Sequence, residues 1–473
     1  MSYDLIVKGG TVVSASDTFV ADIGVADGRI VAVGRIEEPG RKTVDARGKV
    51  VLPGGIDVHT HFDMPFMGAT TIDDFSTGST AAVFGGTTSI VDFAIQRKGK
   101  TFRHALDDWH ERADGKSAVD FGFHMIVTDF TEARQDEMDK LVDEGVSSFK
   151  LFMAYPGIFM SDDATILRAL MRAKDNGGMI CMHAENGSAI DVLVRKALAE
   201  GKLSPEWHAL TRPMTAEAEA THRAIALAEI AGAPIYFVHL SAGDAMEEVR
   251  RARERGLPVF AETCPQYLYL SHDDYRRPGF EGAKFVMSPP LRPKGNAERL
   301  WKGLARNDLQ VVSTDHCSFC MKAGTNQPGK ELGKKDFSKI PNGAPGVEYR
   351  MLLLWDAVQK GKISENRFVE ITSTAPAKLF GLYPRKGHLN PGADADIVIL
   401  DPNRPHTFTV KNHHSAADYN PYEGVTVKGS IRDVFSRGEA MVEGGKWAGK
   451  TGHGKFLKRA PAFLGGSVSA SQL

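Results

Sequence analysis

The chain has 473 residues, 25% of them charged and 42% hydrophobic, the balance of a globular protein with room for a large core and more than one domain. Lys plus Arg number 58 and Asp plus Glu 59, so a net charge of -1 offers no field for a polyanion, and nucleic acid is not an expected partner. Four cysteines make no disulfide framework, no run of about 18 apolar residues predicts a membrane span, and Met1-Ser2-Tyr3-Asp4-Leu5 has neither a basic start nor an apolar segment, so a cytoplasmic setting is expected.

Residues 1–52 read as short strands: Leu5-Ile6-Val7, Thr11-Val12-Val13, Asp22-Ile23-Gly24-Val25 and Ile30-Val31-Ala32-Val33, with turns at Gly9-Gly10 and Asp27-Gly28. Residues 386–450 have the same texture, with strands at 395–400, 407–410 and 440–442. Neither set alone can bury a sheet face, so the two chain ends are expected to meet as one small β-sandwich. Between them, over 53–385, apolar β-type runs alternate with helical patterns. The runs lie at 50–59, 87–93, 121–127, 146–153, 179–183, 235–239, 259–262 and 311–315; the helices include 102–112, 132–143, 164–176, 216–231, 244–255 and 297–306. This rhythm predicts an α/β fold, a TIM-type (β/α)8 barrel. An open doubly wound sheet is weakened by the lack of Gly-x-Gly-x-x-Gly at a strand-to-helix turn. Residues 451–473, rich in Lys, Gly, Ser and Ala towards the end, read as a surface tail or an arm onto a neighbouring subunit.

Functional side chains of such a barrel sit at the C-terminal ends of its strands. His59 and His61 end the first run, and their i, i+2 spacing on an extended chain points both imidazoles one way. His183 ends the fifth run, His239 the sixth and Asp315 the eighth. Four imidazoles and a carboxylate would converge on one mouth, a donor set that suits zinc and related divalent metals. His124 lies inside its run and reads as core. Lys150 lies inside the fourth run; on residue chemistry alone it reads as a salt-bridge or strand-end lysine, because a buried unpaired ammonium is costly. Cys317-x-x-Cys320 lacks a second pair, so Cys317 reads as site lining rather than a zinc or redox centre.

The residues resemble a known family. Pro53-Gly54-Gly55-Ile56-Asp57-Val58-His59-Thr60-His61, Phe84-Gly85-Gly86-Thr87-Thr88, Ser148-Phe149-Lys150-Leu151-Phe152-Met153-Ala154-Tyr155, His183-Ala184-Glu185-Asn186, Glu262-Thr263-Cys264-Pro265-Gln266-Tyr267, Met287-Ser288-Pro289-Pro290-Leu291-Arg292, Thr314-Asp315-His316-Cys317, Ile340-Pro341-Asn342-Gly343 and Lys378-Leu379-Phe380-Gly381-Leu382 occur in order. Together they resemble the dihydropyrimidinase and D-hydantoinase group of cyclic amidohydrolases, nearly end to end. The resemblance implies two divalent metals, zinc the expected ion, bridged by a carbon dioxide-derived carbamate on Lys150 (N6-carboxylysine). It implies His59, His61 and Asp315 at the buried metal, His183 and His239 at the outer one, and Tyr155 beside the developing oxyanion. Ser288 and Asn342 would contact the ring amide. A metal-bridging hydroxide would attack, with Asp315 as base and then acid, turning 5,6-dihydropyrimidines or 5-substituted hydantoins into N-carbamoyl amino acids. The group is usually homotetrameric.

Phe62, Met64, Phe66 and Met67 after the first motif, with Phe152 and Phe159, are expected to line the pocket for the ring substituent. Dihydroorotases place Arg two residues past the His-x-His; here the position is Asp63, which points away from a carboxylated ring. An allantoinase-like ureide hydrolase stays open on these residues. Relatives that serve as non-catalytic assembly proteins have lost metal ligands, whereas all six positions are filled here.

Overall fold

The computed structural model describes residues 2–324 and 327–462. Eight strands form one parallel sheet in the order of a barrel: β1 (Gly55–Thr60), β2 (Thr87–Ile95), β3 (Asp120–Ile126), β4 (Ser148–Phe152), β5 (Met179–His183), β6 (Ile235–Phe237), β7 (Val259–Thr263) and β8 (Val311–Val312). Nearly every residue of these strands is buried, because helices cover the outside and side chains fill the inside. That is why they read as continuous apolar runs rather than alternating ones.

The barrel closes at the seam between β8 and β1. One backbone bridge pairs Thr60 with His316. Thr314 Oγ1 donates to Asp57 Oδ2 at 2.6 Å, and buried Arg350 donates to the carbonyls of Ile56 and Val312, each at 2.9 Å. Some helices start and stop at caps that the chain supplies. Asp162 accepts from Thr165 N at the head of Asp163–Asn176, and Gly177 ends that helix at φ 75°. The six predicted helices are present within a few residues; Phe75–Phe84, Gly187–Ala199 and Arg350–Gln359 join them.

Nine strands from both ends of the chain form the second sheet. Its join is Val50–Pro53, antiparallel to the strand Ile397–Thr407. Two expectations differ in detail. The run at 50–59 is two strands in two sheets, because Pro53-Gly54 turns the chain and Gly54 N donates to Asp396 O at 2.9 Å. The strands predicted on either side of Gly9-Gly10 are one strand, Tyr3–Val13, with a register shift there and Gly9 at φ 67°.

The expected surface tail differs as well. Phe121 N donates to Lys455 O at 3.0 Å, Leu457 N to Phe121 O at 2.7 Å and Ala460 N to Gly381 O at 3.0 Å. This strap runs along the chain's own barrel, with Leu457 and Arg459 buried. Apolar Phe456 and Leu457 pay no desolvation cost there, which outweighs the polar composition around them. The rest of the predicted intersubunit arm, 463–473, lies outside the described residues. Among the described residues no helix is long and apolar enough to cross a membrane.

Candidate metal centre

Six side chains meet at the C-terminal mouth of the barrel. At the end of β1, Thr60 Oγ1 and Phe62 N both donate to Asp92 Oδ2, at 2.8 and 2.9 Å. That anchoring turns Thr60 and Phe62 one way and leaves His59 and His61 on the other. Their Nε2 atoms each lie 3.2 Å from Asp315 Oδ1. One donor atom from each of His59, His61 and Asp315 falls within 4.8 Å of the others, a grouping able to hold a metal ion. Lys150 Nζ is 3.0 Å from His59 Nε2 and sits over the rings of Phe93 and Phe152. His183 Nδ1 is 2.9 Å from His239 Nε2. The ring centroids of His59 and His239 are 5.1 Å apart, so the two groups adjoin.

Electrostatics favour neutral imidazoles. Burial pushes His59, His61 and His239 down from the usual histidine range, which leaves nitrogen lone pairs available for a cation. Burial also lowers the Lys150 ammonium. Tyr155, His239 and Asp315 all have positive φ, 63°, 38° and 51°. Strained backbone of this kind persists where surrounding packing dictates it, and it clusters at functional sites.

Further groups hold these side chains, and sequence reasoning missed them. Glu262 Oε1 pairs with His59 Nδ1 and accepts from His239 N at 3.0 Å, while its Oε2 accepts from Tyr236 at 2.8 Å. Burial pushes its carboxyl up to about 8. Glu185 Oε2 pairs with His183 Nε2 at 2.9 Å. His316 accepts at Nδ1 from Gly346 N and Val347 N, and its Nε2 lies 3.1 Å from Asp73 Oδ2, which fixes the turn after Asp315. A signal for Glu262 was present: it ends the seventh run, as the ligands end theirs.

A cavity opens beside this centre. Met64, Phe66, Phe152, Tyr155, Phe159, Ser288, Cys317 and Asn342 line it, with Ile126 added. Asn342 Nδ2 donates to Ser288 Oγ at 3.1 Å. Burial raises the Tyr155 phenol to about 12, against an opposing influence of the Ser288 and Asn342 side chains.

Two aromatic-loop expectations are corrected. Phe62 is fully buried away from the cavity, edge-on to Phe75 and His316, and Gly78 leaves room for its ring. Strand alternation sends it to the side opposite His61. Met67 sits at φ 51° in the turn between Pro65–Phe66 and Ala69–Thr70, outside the cavity lining. Asp63 forms an ion pair with Arg112 at 2.7 Å. His124 bonds Ser148 Oγ and Val58 O at 2.6 and 2.9 Å, a core histidine. Cys317 and Cys320 are both free thiols.

The chain matches the amidohydrolase family over residues 50–441. It is 54% identical over 466 residues to a D-hydantoinase of Streptomyces coelicolor, covering 97% of this chain and 99% of that one. The crystal structure of a dihydropyrimidinase from Brevibacillus agri superposes with a TM-score of 0.94 at 48% identity, over 97% of this chain and 99% of that one. An L-hydantoinase (dihydropyrimidinase) from Arthrobacter aurescens is more distant, at TM-score 0.87 and 31% identity over 97% and 100%. With a His-His-Asp cluster able to hold a metal ion in a parallel barrel, the chain belongs to the amidohydrolase family, in the group of D-hydantoinases and dihydropyrimidinases.

Proposed function

We propose that this protein hydrolyses the cyclic amide bond of 5-substituted hydantoins and 5,6-dihydropyrimidines, giving N-carbamoyl amino acids. The observation that carries this reading is the convergence of His61, Lys150, His183, His239 and Asp315 on one cavity, with His59 behind them against Lys150 and Asp315, and with Tyr155, Ser288 and Asn342 on the cavity's other wall. The relatives' names point to the same chemistry.

The donor set fits two divalent ions, with zinc favoured by imidazole and carboxylate ligands. Among the described residues, the buried Nδ1 atoms of His61 and His239 have no hydrogen-bond partner, an arrangement that a bound cation would relieve. His59, His61 and Asp315 would hold one ion, His183 and His239 the other, and Lys150 both. For that, the Lys150 amine adds to carbon dioxide: an N–C bond forms, one proton leaves nitrogen, and a carbamate anion replaces the cation. When bound, the metals supply water activation and neutralise charge at the scissile carbonyl.

The chain's own residues do the rest. Asp315 accepts a proton from the attacking water and returns it to the ring nitrogen as the C–N bond breaks. Tyr155, held protonated by burial, donates to the carbonyl oxygen as it gains charge. Ser288 and Asn342 hold the planar amide edge. The apolar side chains Met64, Phe66, Phe152 and Phe159 receive the ring substituent. Asp63 and Arg112 satisfy each other, leaving no unpaired arginine at the dihydroorotase position to read a ring carboxylate. A homotetramer in the cytoplasm completes this reading on family likeness; sedimentation tests the assembly.

The test is turnover by zinc-loaded protein of dihydrouracil, a 5-substituted hydantoin and allantoin, with products separated by chirality. Ring opening of the first two is expected. No turnover of either at two metals per chain overturns the reading, and turnover of allantoin alone moves it to an allantoinase.

A further inference from the structure

The wall that bears Ser288 and Asn342 is held from behind by a lysine that does not enter the cavity. Lys330 lies in the helical turn Lys330–Gly333, between β8 and the helix Arg350–Gln359, and its side chain is fully buried. Its Nζ donates to Val286 O at 2.9 Å and to Pro341 O at 3.0 Å. The first carbonyl is two residues before Ser288, and the second is one residue before Asn342. Gly343 N also donates to Val286 O, at 2.9 Å, and His208 Nε2 binds Met287 O at 2.8 Å. Both segments therefore have their main chain pinned just where they reach the substrate wall.

Packing alone does not explain a lysine here. Among the described residues no carboxylate pairs with it, and burial pushes the amine down to about 7. A methionine would fill the same space without the cost of burying a cation. What the ammonium does, and a methionine cannot, is bind two carbonyls from segments far apart in sequence at once.

We infer that Lys330 is a positioning residue for ring recognition, its Nζ clamping the Val286 and Pro341 carbonyls together and so setting the spacing between Ser288 and Asn342. The inference rests on the proposed function for its substrate. It predicts an effect on ring binding rather than proton transfer, because Lys330 touches neither the six converging side chains nor the cavity.

The experiment uses Lys330→Met in the full-length, zinc-loaded protein, with hydrogen exchange and steady-state kinetics on dihydrouracil and a 5-substituted hydantoin. Exchange should quicken in peptides covering 286–291 and 340–344 and stay unchanged at 179–183 and 235–239. KM should rise about tenfold, the scale of one charge-assisted hydrogen bond, with kcat within about twofold. The ratio of kcat/KM between the two rings should also shift, since the rings differ in size. Unchanged exchange and KM overturn the clamp. So does an equal loss of kcat on both rings at constant KM, which is what a smaller folded fraction produces. Should Lys330→Met fail to fold, Lys330→Leu, which likewise removes every donor, is judged by the same criteria. If the wild type opens neither ring, the function reading fails, and the exchange measurement alone decides the clamp.

Discussion

Glu262 joins three parts of the centre through one carboxyl group: the His59 ring, the His239 backbone and the Tyr236 hydroxyl. Outer partners of this kind fix ring orientation, and their loss typically weakens metal binding by 10–100-fold. Glu262→Gln is expected to lose zinc to a competing chelator about tenfold more readily while regaining activity at saturating zinc. Equal chelator resistance in variant and wild type would remove Glu262 from that role. Tyr155→Phe should do the reverse: full metal content with turnover lower by about 100-fold, the usual cost of losing an oxyanion donor; no rate loss dismisses it. These two residues also mark what was legible. Tyr155 came from resemblance, and Glu262 could have come from position alone. Lys150 was the opposite case. Its surroundings are two rings and an imidazole, which nothing in its neighbours along the chain announces. Phe62 adjoins His61 along the chain, but strand alternation sends their side chains to opposite sides.

At the level of elements, the strap near the C-terminus ties the barrel floor to the strand that carries Lys150. Arg459 donates to Ser148 Oγ at 2.9 Å and to Phe123 O, and Ser148 in turn bonds His124. Ser148 begins β4, two residues before Lys150. A buried guanidinium without a carboxylate is retained for the acceptors it satisfies, and removing it leaves them unpaired. Arg459→Ala is therefore expected to destabilise the fold by about 2–4 kcal/mol, read as a lower urea midpoint at unchanged slope. A midpoint within error of wild type would mean that water replaces the arginine. Sequence did not reveal the strap, because a lone Phe456-Leu457 pair among lysines carries no periodicity. The helices were readable where caps and apolar spacing agreed. Phe75–Phe84 was not, since it is small, polar and apolar residues mixed without a clear face.

For the whole molecule, the eightfold alternation of apolar run and helix was enough to predict the barrel, but not how it closes. The seam between β8 and β1 joins segments remote in sequence, and among the described residues its backbone pairing is a single bridge between Thr60 and His316. His59 and His61 stand on one side of this seam and Asp315 on the other, with their donor atoms within 4.8 Å. An ion held by those three would staple the seam, so its binding energy would become folding stability by mass action. Zinc removal should consequently act locally before it acts globally. After chelation, hydrogen exchange should quicken first in peptides covering 55–61 and 311–316, ahead of those covering β2 and β3, and the melting temperature should fall by roughly 5 °C. Two equivalents of zinc, with bicarbonate to restore the carbamate on Lys150, should reverse both changes, whereas Lys150→Ala should not regain the second equivalent. A metal-free protein, verified by metal analysis, that keeps its melting temperature and its exchange pattern would show that side-chain bonds such as Thr314 to Asp57 close the barrel without help from a metal.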